Sequence, residues 1–405
     1  MAVLGHNDSG KSTVAGHIMF QFGAVDSDTM DDLENEAANA GWESSKYAWI
    51  FDNLETERES GDTTDVSLGK FETDEHVATL IDCPGRRAYT KNMIAGAVGA
   101  DCALLVVSAA EGEFEAGLRR DHGQMREHAL LAFALGVKRL IVAVTKMDTC
   151  GWSERRYNEI VDETRRIIVR AGYNGERTPY VPVSGLIPPR RYELRANPGQ
   201  ETSGSFRLPI RNVYNIPGAG TVVTGTVVEG SCWPGMYVTL APNNIPAQVQ
   251  SIKQHHEDMD ECSAGDVVGL CLGDIDTDGD AFNIRRGEVV SDSDDPASNC
   301  SSFTAQIIIT NHPGWIKSGY TPSVHCGTGR APCRFDILHV LDRRTGRVQH
   351  GREDVKLGDA AMVRMTPYKP FSVEAFRTYP ALGRLVVRDL ERTVAVGTVQ
   401  SVERM

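Results

Sequence analysis

The run Gly5-His6-Asn7-Asp8-Ser9-Gly10-Lys11-Ser12, followed by Thr13, constrains this chain more than any other stretch. Its spacing, G-x-x-x-x-G-K-[ST], is that of a phosphate-binding loop, and its flanks match that context. The apolar run Ala2-Val3-Leu4 leads in as a strand, and a helical pattern from Val14 to Phe22 leads out before Gly23. Gly5 and Gly10 let the backbone curl until several N–H groups face one centre, a nest for anionic oxygens. The helix behind the loop adds its positive end. Lys11 brings a point charge to the outer phosphates, and the Ser12 hydroxyl suits Mg²⁺. The expectation is a nucleoside triphosphate site in which Asp8, Lys11 and Ser12 hold phosphate and metal.

A chain of 405 residues exceeds what one core supports, so two or three domains are expected. Up to about Val183, continuous apolar runs at Val77–Ile81, Ala103–Val107 and Leu140–Val144 read as buried parallel strands. Helical stretches lie between and after them, from Arg126 to Leu135 and from Ser153 to Val169. This is an α/β pattern, a doubly wound and mostly parallel sheet. From Phe206 onward, short β-branched runs such as Thr221–Thr224 and Ile307–Ile309 alternate with Gly, Pro, Asn and Asp turns. That reads as two all-β barrels, parted by the polar stretch Asp292 to Ser302. The expected domains are 1–190, 206–292 and 302–405. A Pro-, Gly- and Arg-rich connection, Ile187 to Ser205, joins the first to the second.

Four further pieces fall after strands, at the sheet edge where ligands bind. Asp82-Cys83-Pro84-Gly85 offers a carboxylate to Mg²⁺ through water and the Gly85 N–H to a γ-phosphate. Thr145-Lys146-Met147-Asp148 offers Asp148 as a double acceptor for the guanine edge, with the Lys146 stem over the base. Ser184-Gly185-Leu186 offers a backbone N–H to the guanine oxygen. Thr63, in Arg58-Glu59-Ser60-Gly61-Asp62-Thr63-Thr64-Asp65, offers a hydroxyl to Mg²⁺ from a switch element. Each piece alone is a common turn or charged loop; their order and spacing point to a guanine-nucleotide switch protein. GTP or GDP with Mg²⁺ is the expected ligand, and Ser12, Thr63 and Asp82 are the expected metal shell.

Composition narrows the setting. A formal charge of −13 gives no general attraction to nucleic acid, so any RNA contact needs a local basic patch. Nine cysteines without a C-x-x-C pair read as reduced thiols. No run approaches a membrane-spanning length, and no signal peptide precedes the loop, so a cytoplasmic protein without membrane contact is expected.

Beyond these motifs the chain resembles the elongation factor 1-alpha family. The resemblance rests on Gly5–Thr13, Lys46-Tyr47-Ala48-Trp49, Lys91-Asn92-Met93-Ile94, Gly112–Gly117 and Arg126–Leu131. Asn311-His312-Pro313-Gly314 and Tyr379–Arg384 extend it through the last barrel. It implies a GTPase followed by two barrels that carries aminoacyl-tRNA to the ribosome, with a guanine-nucleotide exchange factor as partner. It also implies that the first barrel, over residues 206–292, receives the aminoacyl end near Ala264–Gly269, where the family has Asn in place of Val267. The second barrel, over residues 302–405, would contact tRNA and the exchange factor.

The departures cluster at the reaction centre. Arg86 stands where the family carries the histidine that positions the attacking water, and Asn7 and Asp62 stand where two apolar residues gate it. A guanidinium cannot act as a base, though it can pair with Asp62 or serve as a cis arginine finger. Hydrolysis by this chain is therefore expected to be impaired. Thr145 replaces the usual Asn, which should weaken base recognition without abolishing it. The short first strand and the stretch after Leu186, too short and proline-rich for a last GTPase helix, are expected to leave a core face poorly covered. Two other functions compete: a non-hydrolysing GTP-binding adaptor with protein partners, cytoskeletal ones included, and a peptide-release or ribosome-rescue GTPase.

Other motifs carry less. Asp274–Gly279 opens like a Ca²⁺ loop, but its twelfth position is Arg285. His255 and His256 lie in a β pattern that sends neighbouring side chains to opposite faces, so they cannot simply share a metal.

Overall fold

The computed structural model describes residues 1–42, 46–52, 55–73, 77–119, 123–185, 204–216, 220–255, 257–273, 275, 284–297, 299–341, 347–349 and 352–404. The chain divides into two compact units, residues 1–133 with 137–198, and residues 134–136 with 199–405.

In the first unit, apolar runs too short for helices and flanked by glycine and aspartate form strands. They are β1 (Ala2–Gly5), β2 (Ser67–Glu72), β3 (Val77–Asp82), β4 (Cys102–Ser108), β5 (Arg139–Thr145) and β6 (Tyr180–Pro182). They make one sheet in the order β2-β3-β1-β4-β5-β6, parallel except for the β2–β3 pair. The crossovers carry α1 (Lys11–Gln21), α2 (Ser27–Asn39), α3 (Glu55–Ser60), α4 (Thr90–Ala97), α5 (Glu113–Leu118), α6 (Met125–Ala134) and α7 (Glu154–Ala171). Register places the functional edge: Val3 pairs with Asp82, Gly5 with Val106, and Ser108 with Thr145, so the carboxyl ends of β1, β3, β4 and β5 line up. Beneath that edge Val3, Leu80, Leu104, Val106 and Ala143 form the core with Val14 and Met19 of α1.

The helix after the loop begins at Lys11, a turn earlier than the apolar pattern predicts, because the loop itself supplies the first turn. Helix α7 shows the amphipathic logic plainly. Ser153 caps it by accepting from the Arg156 N–H at 3.3 Å; Ile160, Val161, Thr164, Ile167 and Ile168 form the buried stripe, and Gly172 at φ 121° ends it.

The second unit holds two antiparallel barrels. The first comprises β7 (Arg207–Ile216), β8 (Gly220–Thr226), β9 (Ser231–Cys232), β10 (Tyr237–Ala241), β11 (Ile245–Gln254), β12 (Glu257–Met259), β13 (Cys262–Ser263), β14 (Val267–Gly273) and β15 (Val289–Asp292). Pairing of β10 with β11 closes the order β10-β15-β7-β8-β14-β11 into a ring around Leu208, Val223, Val238, Val249 and Leu270. The second barrel, from Cys300–Ile309 to Arg392–Arg404, closes in the same way through Ser323–Cys326 and Gly329–Leu341, around Phe303, Ile307, Phe335, Val363 and Leu385.

The polar stretch between the barrels does more than separate them. Asp295 accepts from the fully buried Arg207 guanidinium at 3.0 Å and from the Tyr379 hydroxyl at 2.6 Å, while Arg207 lies 4.2 Å from the Tyr379 ring centre. Ala241, Val289, Ala297 and Leu382 pack around this link.

Some expectations need correcting. His255 is at a turn with φ 49°, not on a strand, because the chain reverses between β11 and β12. His256, the connection over residues 187–203 with the expected missing helix, and most of the Ca²⁺-like run fall outside the described residues. All nine cysteines are free thiols. Among the described residues, no helix is long and apolar enough to cross a membrane.

Candidate nucleotide site

The strand ends surround a cavity of about 620 Å³ lined by the loop, by Thr63 and Gly85, and by Thr145, Lys146, Asp148, Ser184 and Gly185. Asn7, Asp8, Gly10, Ser12 and Thr13 face it as well.

At the phosphate end the loop turns through Asp8 at φ 57° and Gly10 at φ 86°. No side chain caps α1, so its first-turn N–H groups remain for a ligand. The Lys11 ammonium donates to the His6 carbonyl at 2.8 Å, and the Ser9 hydroxyl closes the same turn. Burial holds the Lys11 ammonium below its ordinary range against the pull of Asp82 and Asp8, so an incoming anion would favour its charged form. A Cβ on Gly85 would collide with the Lys11 ammonium and crowd the Asn7 N–H, so only glycine brings its backbone this close. Beneath the loop the Gly5 N–H donates to His128 Nδ1 at 3.1 Å, a buried support from α6.

The expected metal residues converge. Ser12 Oγ lies 2.6 Å from Asp82 Oδ2 and 3.0 Å from Thr63 Oγ1. Asp82 is fully buried with Oδ1 unpartnered, and burial pushes its pKa up to about 6 against the Ser12 hydrogen bond and Lys11. Asp52, also buried with a bare Oδ1, is pushed to about 7 by burial and by the charges of Asp82 and Glu57. The two hydroxyls and the Asp82 carboxyl form a hard oxygen set that suits Mg²⁺, and Asp52 lies near enough to feel the Asp82 charge. Asp52 gives no motif; only its meeting with Asp82 reveals it.

The switch loop is tied on several sides. Buried Glu57 of α3 accepts from the Thr64 N–H at 2.8 Å, its hydroxyl at 3.0 Å and the Asp65 N–H at 3.2 Å, and Asn92 of α4 donates to the Thr64 carbonyl at 2.7 Å. Arg86 and Asp62 form a two-pronged pair, Nε to Oδ1 at 2.7 Å and Nη2 to Oδ2 at 2.5 Å. The guanidinium therefore has a partner of its own at the loop and does not line the cavity.

At the base end Asp148 is exposed on the short turn Met147–Cys150. Lys146, at φ 55°, is held by both oxygens of Glu113 at 2.8 and 3.0 Å, and Ser108 donates to the same carboxylate at 2.7 Å. The Thr145 hydroxyl donates to the Ser9 carbonyl at 2.7 Å, so this threonine fastens the phosphate loop to β5. His17 of α1 meets the Gly185 carbonyl at 2.8 Å and stacks on Tyr47 at 4.4 Å. Gly5, His6, Ser9, Asp82, Pro84 and Met147 do not line the cavity; Met147 is buried behind it, so its side chain serves packing rather than ligand contact. Leu186 lies outside the described residues.

The elongation factor Tu GTP-binding domain matches residues 1–189, elongation factor Tu domain 2 matches 220–291, and the GTP-eEF1A C-terminal domain-like family matches 302–400. Elongation factor 1-alpha of Coccidioides immitis is 44% identical over 437 aligned positions, covering 100% of this chain and 94% of that protein. Elongation factor 1-alpha-B of Schizosaccharomyces pombe is likewise 44% identical, with the same coverage. The chain belongs to the elongation factor 1-alpha family. It is a translational GTPase with a guanine-nucleotide site, as these matched domains indicate. The fold extends to more distant proteins: the S. cerevisiae Ski7 GTPase-like domain bound to GTP superposes with a TM-score of 0.79 at 16% identity, covering 98% of this chain and 96% of that one.

Proposed function

We propose that this chain binds GTP or GDP with Mg²⁺ and delivers aminoacyl-tRNA to the ribosomal A site, hydrolysis triggering release. Residues 1–190 would bind nucleotide, 206–292 the aminoacyl end, and 302–405 tRNA and a guanine-nucleotide exchange factor, in the cytoplasm. The observation that carries the nucleotide reading is the meeting of Ser12, Thr63 and the half-unpartnered Asp82 below the uncapped start of α1. Delivery is supported by likeness along the whole chain to Elongation factor 1-alpha of Coccidioides immitis.

Ser12, Thr63 and Asp82 would hold Mg²⁺, with Asp52 adding charge; the ion supplies electrostatic stabilisation of the phosphates. Lys11 and the loop N–H groups bind the phosphates, and the Gly85 N–H meets the outermost one. Asp148 accepts from the guanine edge, while Ser184 and Gly185 present backbone to it. In hydrolysis the chain's task is to position a water, and Arg86, drawn onto Asp62, offers no base for that purpose. Slow turnover follows. The same pair favours a second reading, a GTP-binding adaptor that hydrolyses little and works through protein contacts.

Competition between ATP and GTP for a fluorescent GTP analogue tests the first step; equal displacement by both sinks the guanine assignment. Single-turnover hydrolysis on programmed ribosomes tests the second. The rate should lie about 10²–10³ below that of a histidine-bearing relative, as for loss of one positioned group. Asn7→Val, Asp62→Ile and Arg86→His combined should restore more than the single changes summed, because groups acting as a unit are non-additive. A wild-type rate equal to the relative's would retire the adaptor reading.

A further inference from the structure

Nine thiols are scattered along the sequence, but two of them meet across a ladder. In the first barrel β9 and β13 form a two-residue antiparallel pair in which Cys232 stands opposite Cys262, and Ser231 opposite Ser263. Residues so opposed have Cα atoms about 4.5–5.5 Å apart, within the roughly 4.4–6.8 Å that a disulfide spans. Both side chains are buried, at 0% and 1% exposure, and directly opposed residues of an antiparallel ladder project to the same face, which makes the two thiols neighbours. The buried thiols of the other barrel behave differently. Cys300 donates to the Phe371 carbonyl, Cys326 to that of Leu382, and Cys333 to that of Ala331.

We propose that Cys232 and Cys262 are a redox pair that closes to a disulfide and reopens with thiols. With a small disulfide such as oxidised glutathione as oxidant, the thiolate of one cysteine attacks a glutathione sulfur and expels one glutathione thiolate. The second cysteine's thiolate then attacks the protein sulfur of the mixed disulfide and expels the other glutathione. Two cysteine protons end on the two released glutathiones, so the protein loses two hydrogens and the oxidant is reduced by two electrons.

The surroundings set the rate and the consequence. The neighbouring Cys262 thiol, together with burial, pushes the Cys232 thiol up, so thiolate is scarce and exchange waits on opening of the ladder. That ladder is only two residues long and is held by the Ser263 N–H on Asp266 at 2.8 Å and the Gly265 N–H on Val227 at 2.9 Å. Oxidation should therefore proceed over minutes to hours and rigidify the turn from Ser263 to Asp266.

The test uses the full chain incubated with oxidised glutathione, alkylated in denaturant, digested without reductant and mapped by mass. A cross-linked peptide pair joining Cys232 to Cys262, released by dithiothreitol, is the expected result, with slower amide exchange at 262–268 in the oxidised protein. Cys262→Ala should abolish the cross-link; if that variant does not fold, the wild-type map still decides. Glutathione on Cys150, which is partly exposed, shows that the oxidant acted. Cys232 and Cys262 both alkylated under that condition, or either left as a stable glutathione adduct, would overturn the proposal.

Discussion

Asp148 shows how much rests on one carboxylate. It is exposed and lines the cavity, and its two oxygens can accept from two donors at once. An amide there keeps one acceptor and gains a donor. Asp148→Asn should weaken GTP by about 1–3 kcal/mol, the usual loss when a paired polar group is left unmatched, and shift preference toward xanthine nucleotides. Displacement of a fluorescent analogue by GTP and by xanthosine triphosphate reads both effects. A different carboxyl sets a pH dependence. Glu288 is buried, accepts from Asn243 at 2.9 Å and leaves Oε2 unpartnered; burial pushes it up to about 7, against Arg285 and Asn243. Its folded pKa lies above its unfolded value, so the folded state holds the proton more tightly. The stabilisation is complete below the unfolded carboxyl pKa and is lost as pH rises to about 7. Glu288→Gln, which keeps the neutral shape, should match wild type at about pH 4 and exceed it at about pH 8 by roughly 1–3 kcal/mol in denaturant unfolding.

At the scale of elements, the switch loop depends on what holds it from behind. Glu57 receives three hydrogen bonds from Thr64 and Asp65, and these fix Thr63 within 3.0 Å of Ser12. Glu57→Ala leaves those donors unmatched while removing nothing from the main core. Amide exchange at 63–66 should quicken by about ten- to a hundredfold, equivalent to about 1–3 kcal/mol, with a smaller change in the global unfolding midpoint. Unchanged exchange there would show that Arg86 and Asn92 suffice to hold the loop. The sequence made much of this architecture readable, because buried parallel strands are continuous apolar runs and β1, β3, β5 and β6 each lead into a motif. Glu57 was not readable. Within Glu55-Thr56-Glu57-Arg58-Glu59 it looks like any solvent-facing charge, and only tertiary hydrogen bonding singles it out. Asp52, Glu113 and His128 were hidden for the same reason, since their partners lie on other elements far along the chain. Thr145 was legible as a departure from the family, but its bond to Ser9, which gives it a structural task, was not.

Across the whole molecule, acidity and architecture pull on different questions. The charge of −13 argues only about encounter with other polyanions, whereas the two barrels are joined by a specific buried link. Arg207 has no exposed side-chain surface, so its charge is met by Asp295, by the Phe206 carbonyl at 2.9 Å and by the Tyr379 ring. Asp295 itself is 42% exposed, which limits the energy of the pair below that of a fully buried one. Asp295→Ala should therefore cost about 1–3 kcal/mol, mostly from the guanidinium left behind. Tyr379→Phe removes one hydrogen bond but keeps the ring, and should cost about 1 kcal/mol or less. Arg207→Met in the Asp295→Ala background should recover part of the loss, because no buried charge then remains to be matched. Hydrogen exchange on the full chain reads the result. In the wild type, the strands Val267–Gly273 and Cys300–Ile309 should open with the same free energy, as parts of one cooperative body; in Asp295→Ala the two values should part. Equal values in both proteins would assign the cohesion of the barrels to Ala241, Val289, Ala297 and Leu382, with Arg207 as a passenger in an apolar joint.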